Sequence, residues 1–423
     1  MKIGVVLTFF DFRNDVRKVL EIMAYSNEVT VFARSEDQEL ISKQLPGKVG
    51  LRFIKEKIQN TRNTILERLF LLFKKLPKSS QNYFLMEAFK IQNNPNIKAQ
   101  KKGWRILRLQ KVLPKIFSYQ QYIKLLQFSG KTEIDDIDKF FFLTEIYDDY
   151  FLARIQKEKK PATVYVYSWD HACKHTKFPG KIKYAVWNTG VGEDVRKLQH
   201  CNSEAISITG ASQFGFIDEY RKKRHELKSE YSFQYLYFGC AIGIESIATK
   251  EVALIKQVAE LLRRKYPDIK LVVRPYPVLR DWSLYDGLKS IDNIVLDDDF
   301  RSADLSVSEE NIYLKYKKIE EAKAFLHIGT TLGLEACFLN TVSFILNFGY
   351  EDIRNDLYSF IHQYQNEKYL INQFPENCVN SLEEMEHVLA NIDNIKYRRQ
   401  NNEIQAQFPV YSFQTFAQNL INA

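Results

Sequence analysis

The stretch from His327 to Leu346, HIGTTLGLEACFLNTVSFIL, separates two apolar runs by Gly-Thr-Thr-Leu-Gly and carries a glutamate inside the second. Read as strand, turn, helix and strand, it puts Gly329, Thr330 and Thr331 at the carboxyl end of a strand. There the first N–H groups of the following helix lack intrahelical acceptors and point to where a phosphate would sit. The two threonine hydroxyls add donors at the same spot. Glu335 lies a turn further on, where a carboxylate can accept hydrogen bonds from both hydroxyls of a ribose. Ordinary capping is the competing reading, but a capping box wants its glutamate three residues after the cap, whereas Thr331 to Glu335 is four.

Other residues carry weaker signals of the same kind. LVVRPYP closes an apolar run with Arg274, which at a strand's carboxyl edge can clamp a diphosphate in bidentate fashion; Pro275 and Pro277 stiffen the exit. Gly239 and Gly243 mark the turn after QYLYFGC. In the first half, YVYSWDHACKHTKF brings Trp169, Asp170 and His171 directly after an apolar strand, the position of a cleft residue in an α/β sheet. Asp170 or His171 can there deprotonate an acceptor hydroxyl, with Asp11 in TFFDFRND as a rival base on the same edge. The plainer alternative has Asp170 capping a turn and Trp169 in the core. His171 and His175 lack a nearby third ligand, and Asp297 to Asp299 read as a solvated loop, so no metal is assigned.

The elements that must position these residues alternate between strand and helix. KIGVVLTFF reads as a buried strand; Val16, Val19, Leu20 and Met23 recur at helical spacing, and EVTVFA follows as a second strand. An acidic, helix-like stretch, EIDDIDKFFFLTEIYDDYFLARIQKEKK, precedes the strands ATVYVYSW, KYAVWN and AISITG. A second series begins near Tyr235 with QYLYFGC, a helix carrying Val252, Ile255, Ala259 and Leu262, then IKLVVRPYP, NIVLDD and a helix from about Tyr313 to Glu321. The expected fold is α/β, with two Rossmann-like domains facing across a cleft. The expected boundaries are an acceptor domain over 1–230 with a helical insertion at about 56–150, a nucleotide-sugar domain over 231–402, and a final helix at 403–423 packing across the domain boundary.

The charge is unevenly spread. Between Lys55 and Lys124 there are 16 Lys and Arg against three acids, a local net of +13, while the rest of the chain nets −5. Ile65, Leu66, Leu69, Leu72, Phe73 and Leu76 fall on one stripe there, and GWRILRLQKVLPKIFSYQQYIKLLQF repeats the theme. Bulky apolar faces flanked by basic and aromatic residues suit an anionic membrane surface; packing on the core with a solvated basic face is the alternative. No run is long enough to span a bilayer and the opening lacks a signal-peptide pattern. Five scattered cysteines without a C-x-x-C pair read as reduced thiols. A cytoplasmic protein, peripheral at the inner face of the membrane, is expected.

Taken in order, YSWDHACKHTK, YAVWN, SITGASQF, YLYFGC, LVVRPYP and HIGTTLGLEACFLNTVSFIL resemble the GT-B fold glycosyltransferases of bacterial surface polysaccharide synthesis, in the group related to CDP-glycerol glycerophosphotransferases. The resemblance covers about Ala162 to Leu346. It implies that Thr330, Thr331 and Glu335 hold the donor nucleotide, that Arg274 lies near its phosphates and that Asp170 faces the acceptor. Tyr276 stands where many relatives carry a histidine that contacts the donor phosphate, which disfavours a CMP-sugar or CDP-glycerol donor and leaves the nucleotide open.

The reading is a metal-independent glycosyltransferase without a cofactor, using a nucleotide-sugar as donor substrate and a glycan or lipid-linked acceptor. CDP-polyol phosphotransfer and UDP-sugar epimerisation are the enzymatic alternatives. Nucleic-acid binding by the basic segment is disfavoured by the absence of a recognised motif and by its aliphatic stripe.

Overall fold

A computed structural model describes residues 1–8, 13–57, 60–78, 80–143, 148–199, 201, 205–241, 245–276, 283–298, 307–349 and 365–423. Two compact units emerge, Met1–Gly215 with Tyr411–Ala423, and Phe216–Val410.

The first unit is built on seven parallel strands: β1 (Lys2–Val6), β2 (Glu28–Ala33), β3 (Val49–Phe53), β4 (Lys139–Phe142), β5 (Ala162–Tyr165), β6 (Lys183–Val186) and β7 (Ile206–Ile208). Their order is β3-β2-β1-β4-β5-β6-β7, so the winding reverses between β1 and β4. The central strands are apolar on both faces because helices cover both sides of such a sheet. Gly4 admits the Phe140 ring: a Cβ there would lie 2.5 Å from Phe140 Cε1. Phe140 in turn meets Phe32 edge-on at 5.4 Å between centroids, and Phe151 packs against both. Truncating Phe140 to Ala would cost about 4 kcal/mol.

Strand β4 corrects an expectation. The acidic stretch containing KFFF is not helical throughout; Lys139–Phe142 pairs with both β1 and β5 and occupies the sheet centre, and a helix begins only at Asp149. Three consecutive phenylalanines fit an all-round buried strand, and this tertiary demand overrides the flanking helical pattern.

Between β3 and β4 lie the helices Thr61–Phe73, Ser80–Gln92, Ile97–Val112 and Tyr119–Leu125. Asn60 and Asn96 accept from the first-turn amides of their helices, and Ser118 with Gln121 forms a capping box. The expected single apolar stripe of the first helix divides: Leu66 and Phe70 are buried, Phe70 stacking on Tyr122 at 4.4 Å, whereas Ile65 and Leu69 are 51% and 45% exposed. The closing helix Phe413–Asn422 buries Phe413, Phe416, Ala417 and Leu420. It packs on the helix Asn14–Ser26 and sets Phe416 against Tyr165 at 5.2 Å.

The second unit carries six parallel strands: β8 (Gln234–Gly239), β9 (Ile269–Arg274), β10 (Ile294–Leu296), β11 (Phe325–His327), β12 (Ser343–Leu346) and β13 (Cys378–Val379). Their order is β10-β9-β8-β11-β12-β13, reversing between β8 and β11. The helices Glu245–Lys265, Glu309–Glu321 and Leu332–Phe338 connect them. In an open α/β sheet, such a reversal opens a crevice at the carboxyl ends of the two strands concerned.

Candidate active site

The carboxyl ends of β8 and β11 bring the Gly-Thr-Thr turn to the reversal of the second sheet. Gly239 ends β8 where a Cβ would meet Phe325 Cζ at 2.5 Å and Leu332 Cδ1 at 3.3 Å, so the turn closes down on the strand. His327 ends β11 and is buried; its Nδ1 accepts from the Thr330 N–H at 3.3 Å, which leaves Nε2 to donate to Ser343 Oγ at 3.1 Å. Burial pushes the imidazole down to about 3, so it stays neutral at ordinary pH. Gly333 packs on that ring, where a Cβ would sit 2.5 Å from Nε2, and Gly329 has φ 142°. The two glycines are there for the turn's geometry, and His327 is its internal brace.

The expected fan of unpaired amides is not what forms. The N–H groups of Gly333, Leu334 and Glu335 donate to Thr330 O and Thr331 O at 2.9–3.1 Å, and that of Leu332 reaches Thr330 Oγ1 at 3.4 Å. The turn tightens on itself before the helix begins, so its own carbonyls satisfy the first-turn donors. Thr331 makes no side-chain cap, and both threonines remain half-buried at the rim. Their hydroxyls are therefore the donors this turn offers.

Glu335 is buried and its Oε2 accepts from Lys315 Nζ at 2.8 Å. Burial lowers the Lys315 pKa, although Glu335 opposes the shift. Arg274 ends β9 as expected but does not stand open: Nη1 donates to Asp297 Oδ2 at 2.7 Å, and Lys318 Nζ donates to Asp297 Oδ1 at 2.7 Å. Tyr237 donates its hydroxyl to the same carboxylate, and Glu230 lies 2.7 Å from Lys318. Burial alone would raise the Asp297 pKa; Arg274 and Lys318 outweigh it and hold the carboxyl below its usual range. Asp297 is thus no solvated loop residue, because two buried cations and a phenol require a carboxylate at their centre. Tyr276 follows, half-buried, and Gly243 lies outside the described residues.

In the first unit Asp170 precedes the short helix His171–Lys174 without capping it. Its oxygens accept from Ser168 Oγ at 2.7 Å and Lys174 Nζ at 2.5 Å. Burial opposes ionisation here, but Lys174 and the neighbouring His171 outweigh it and hold the carboxyl well below its ordinary range. His171 and His175 meet edge-on at 4.6 Å and line a cavity of about 230 Å³ together with Lys74, Tyr83, Glu87 and Lys174. Among the described residues no group of three or more His, Cys, Asp or Glu is arranged to hold a metal.

Asp11 lies outside the described residues. Four positions on, Asp15 is buried in the first turn of its helix, accepting from Ser212 Oγ at 2.5 Å and Tyr167 Oη at 3.2 Å, and burial raises its pKa. The sequence signal for it was a second aspartate in the same post-strand segment, but spacing alone does not separate the two.

No family model and no curated protein matches the chain. Among solved structures, the wall teichoic acid polymerase TagF soaked with CDPG is similar at TM-score 0.52 and 9% identity, over 100% of this chain and 87% of that one. The S. aureus MnaA–UDP structure is similar at TM-score 0.51 and 12% identity, over 100% and 95%. A putative UDP-N-acetylglucosamine 2-epimerase from Listeria monocytogenes follows at 0.49 and 10%, over 99% and 94%. At these identities the likeness concerns the fold, a two-domain α/β architecture with two parallel sheets that matches the GT-B class.

Proposed function

We propose that this chain is a glycosyltransferase that moves a sugar from a nucleotide-sugar donor to a lipid-linked or growing bacterial surface glycan. The observation that carries the reading is the Gly329-Thr330-Thr331 turn followed by the buried Glu335–Lys315 pair, at the strand reversal of the second sheet. A rigid turn presenting two hydroxyls suits a diphosphate, and a carboxylate anchored through one oxygen keeps the other for a ribose. Lys315 and Arg274 are already paired, with Glu335 and Asp297, so contact with the diphosphate falls to the threonine hydroxyls. Likeness in fold to the UDP-bound MnaA and CDPG-soaked TagF structures supports a nucleotide as the ligand.

On the acceptor side, Asp170 is a weak base because Lys174 and Ser168 already occupy it. We assign proton removal from the acceptor hydroxyl to His171, which lines the cavity, with the Asp170 charge beside it favouring the imidazolium that forms. Among the described residues, eight exposed large apolar side chains, including Ile65, Leu69, Trp104, Leu109, Val112 and Ile116, fall in the basic segment and support contact with an anionic lipid surface. No helix among the described residues is long and apolar enough to cross a membrane.

The deciding experiment incubates the protein with UDP-, GDP-, CMP- and CDP-linked donors, with and without membrane extracts as acceptor, and follows donor and product by mass spectrometry. Donor consumption that requires acceptor, with mass gain on the acceptor, is expected; no consumption of any donor would end the reading. A second reading, epimerisation of a UDP-sugar, has the likeness to the UDP-bound MnaA structure behind it. Isomer formation without acceptor would select it.

A further inference from the structure

In the first unit, the cavity beside the helix His171–Lys174 holds a buried cation without an ion-pair partner among the described residues; Glu87, on the same lining, acts on it only from beyond contact distance. Three of the lysines lining it have carboxylates: Lys90 with Glu87 at 3.3 Å, Lys174 with Asp170 at 2.5 Å and Lys177 with Asp149 at 2.9 Å. Lys74 has none within ion-pair distance among the described residues, although it is only 9% exposed. Its ammonium lies over the Tyr83 ring, 4.7 Å from the centroid. Nor is its backbone loose: Lys74 bridges Phe117, and Phe117 exchanges hydrogen bonds with Phe73 and Lys75 at 2.9 and 2.8 Å. A buried cation without a counter-charge is costly unless a ligand supplies one.

We infer that this cavity is a phosphate-group site, with Lys74 as its charge anchor and Lys174, Lys177 and His171 as further donors around it. About 230 Å³ accommodates a phosphate with a sugar or short alkyl stub and is smaller than a typical nucleotide pocket. The lining suits such a ligand chemically, with Val164, Val166 and Phe178 supplying apolar surface beside the cations. Nothing in this inference depends on the nucleotide reading of the second unit. The phosphate could belong to a soluble sugar phosphate or to a lipid headgroup, and both present the same dianionic oxygens to the lysines.

The test measures binding of inorganic pyrophosphate and glucose 1-phosphate by calorimetry, and of vesicles with and without phosphatidic acid by flotation. It compares the wild type with Lys74→Met, Lys74→Arg and the exposed control Lys102→Met. Wild type, Lys74→Arg and Lys102→Met should bind, while Lys74→Met loses at least tenfold in affinity and keeps a cooperative melting transition. Loss confined to the soluble phosphates assigns a soluble ligand, and loss confined to phosphatidic acid vesicles assigns a headgroup. Equal binding by wild type and Lys74→Met, or no binding of any of these probes by the wild type, would overturn the site.

Discussion

Lys315 Nζ lies 2.8 Å from Glu335 Oε2, with both side chains almost fully out of solvent. The two residues come from different helices, Glu309–Glu321 and Leu332–Phe338, so the pair ties the nucleotide turn to its neighbouring helix. A ligand-binding glutamate standing alone could be removed without harm. This one cannot, because its loss strands a buried ammonium.

Glu335→Ala should therefore destabilise the folded chain by about 3 kcal/mol and abolish the nucleotide-induced thermal shift. The double variant Glu335→Leu/Lys315→Met should recover most of the unliganded melting temperature and still fail to respond to nucleotide. Calorimetric melting of the two variants with and without UDP checks both parts; a double variant that responds like the wild type would remove Glu335 from the ligand.

Asp297 should prove more important to folding than Arg274. Removing the carboxylate in Asp297→Ala leaves Arg274 and Lys318 facing each other, at a cost of about 4 kcal/mol. Arg274→Met leaves Lys318 paired with Asp297 and should cost less than half as much. Because the Asp297 carboxyl is held below its usual range, its contribution is present above about pH 4 and is lost as pH falls through the depressed value. Urea midpoints at pH 7 check the order, and midpoints at pH 7 and pH 2 check the pH trend.

His171→Ala should lower kcat about 100-fold while leaving the donor-induced thermal shift intact. Asp170→Asn should lower it roughly tenfold, since an amide keeps the contact with Ser168 but loses the charge beside His171. Steady-state kinetics with a saturating donor discriminates them, and the reverse ranking would return the base role to Asp170.

Asp15 carries a pH signature of the opposite sign. Its pKa is raised by burial, so the folded chain holds that proton where the unfolded chain has released it. The stability it brings is full below about pH 4 and declines as pH rises through the raised value. Asp15→Asn should remove this decline, so its urea midpoint relative to the wild type should climb between pH 4 and pH 7. A constant difference would show that Asp15 is ionised at little cost.

Much of the fold was legible because buried parallel strands are written as short continuous apolar runs. EVTVFA became β2 without a change of boundary, and the helix expected around Val252 to Leu262 spans Glu245–Lys265. The run KFFF was hidden by the acidic residues around it, and only its pairing with β1 explains it. At the site, the turn itself could be read, but its partners could not. Lys315 is 20 residues from Glu335, and Asp297 is 23 from Arg274. Periodicity reports which residues share a face of one element and is silent on which element that face meets. Asp297 looked solvated for the same reason: what buries it comes from Arg274, Lys318 and Tyr237, far along the chain.

The most direct test of the nucleotide site is a crystal structure of the protein with UDP or CDP. The account predicts the ribose on Glu335, the diphosphate against the Thr330 and Thr331 hydroxyls, and the Lys315–Glu335 contact retained. A nucleotide bound elsewhere, with this turn untouched by the ligand, would contradict it.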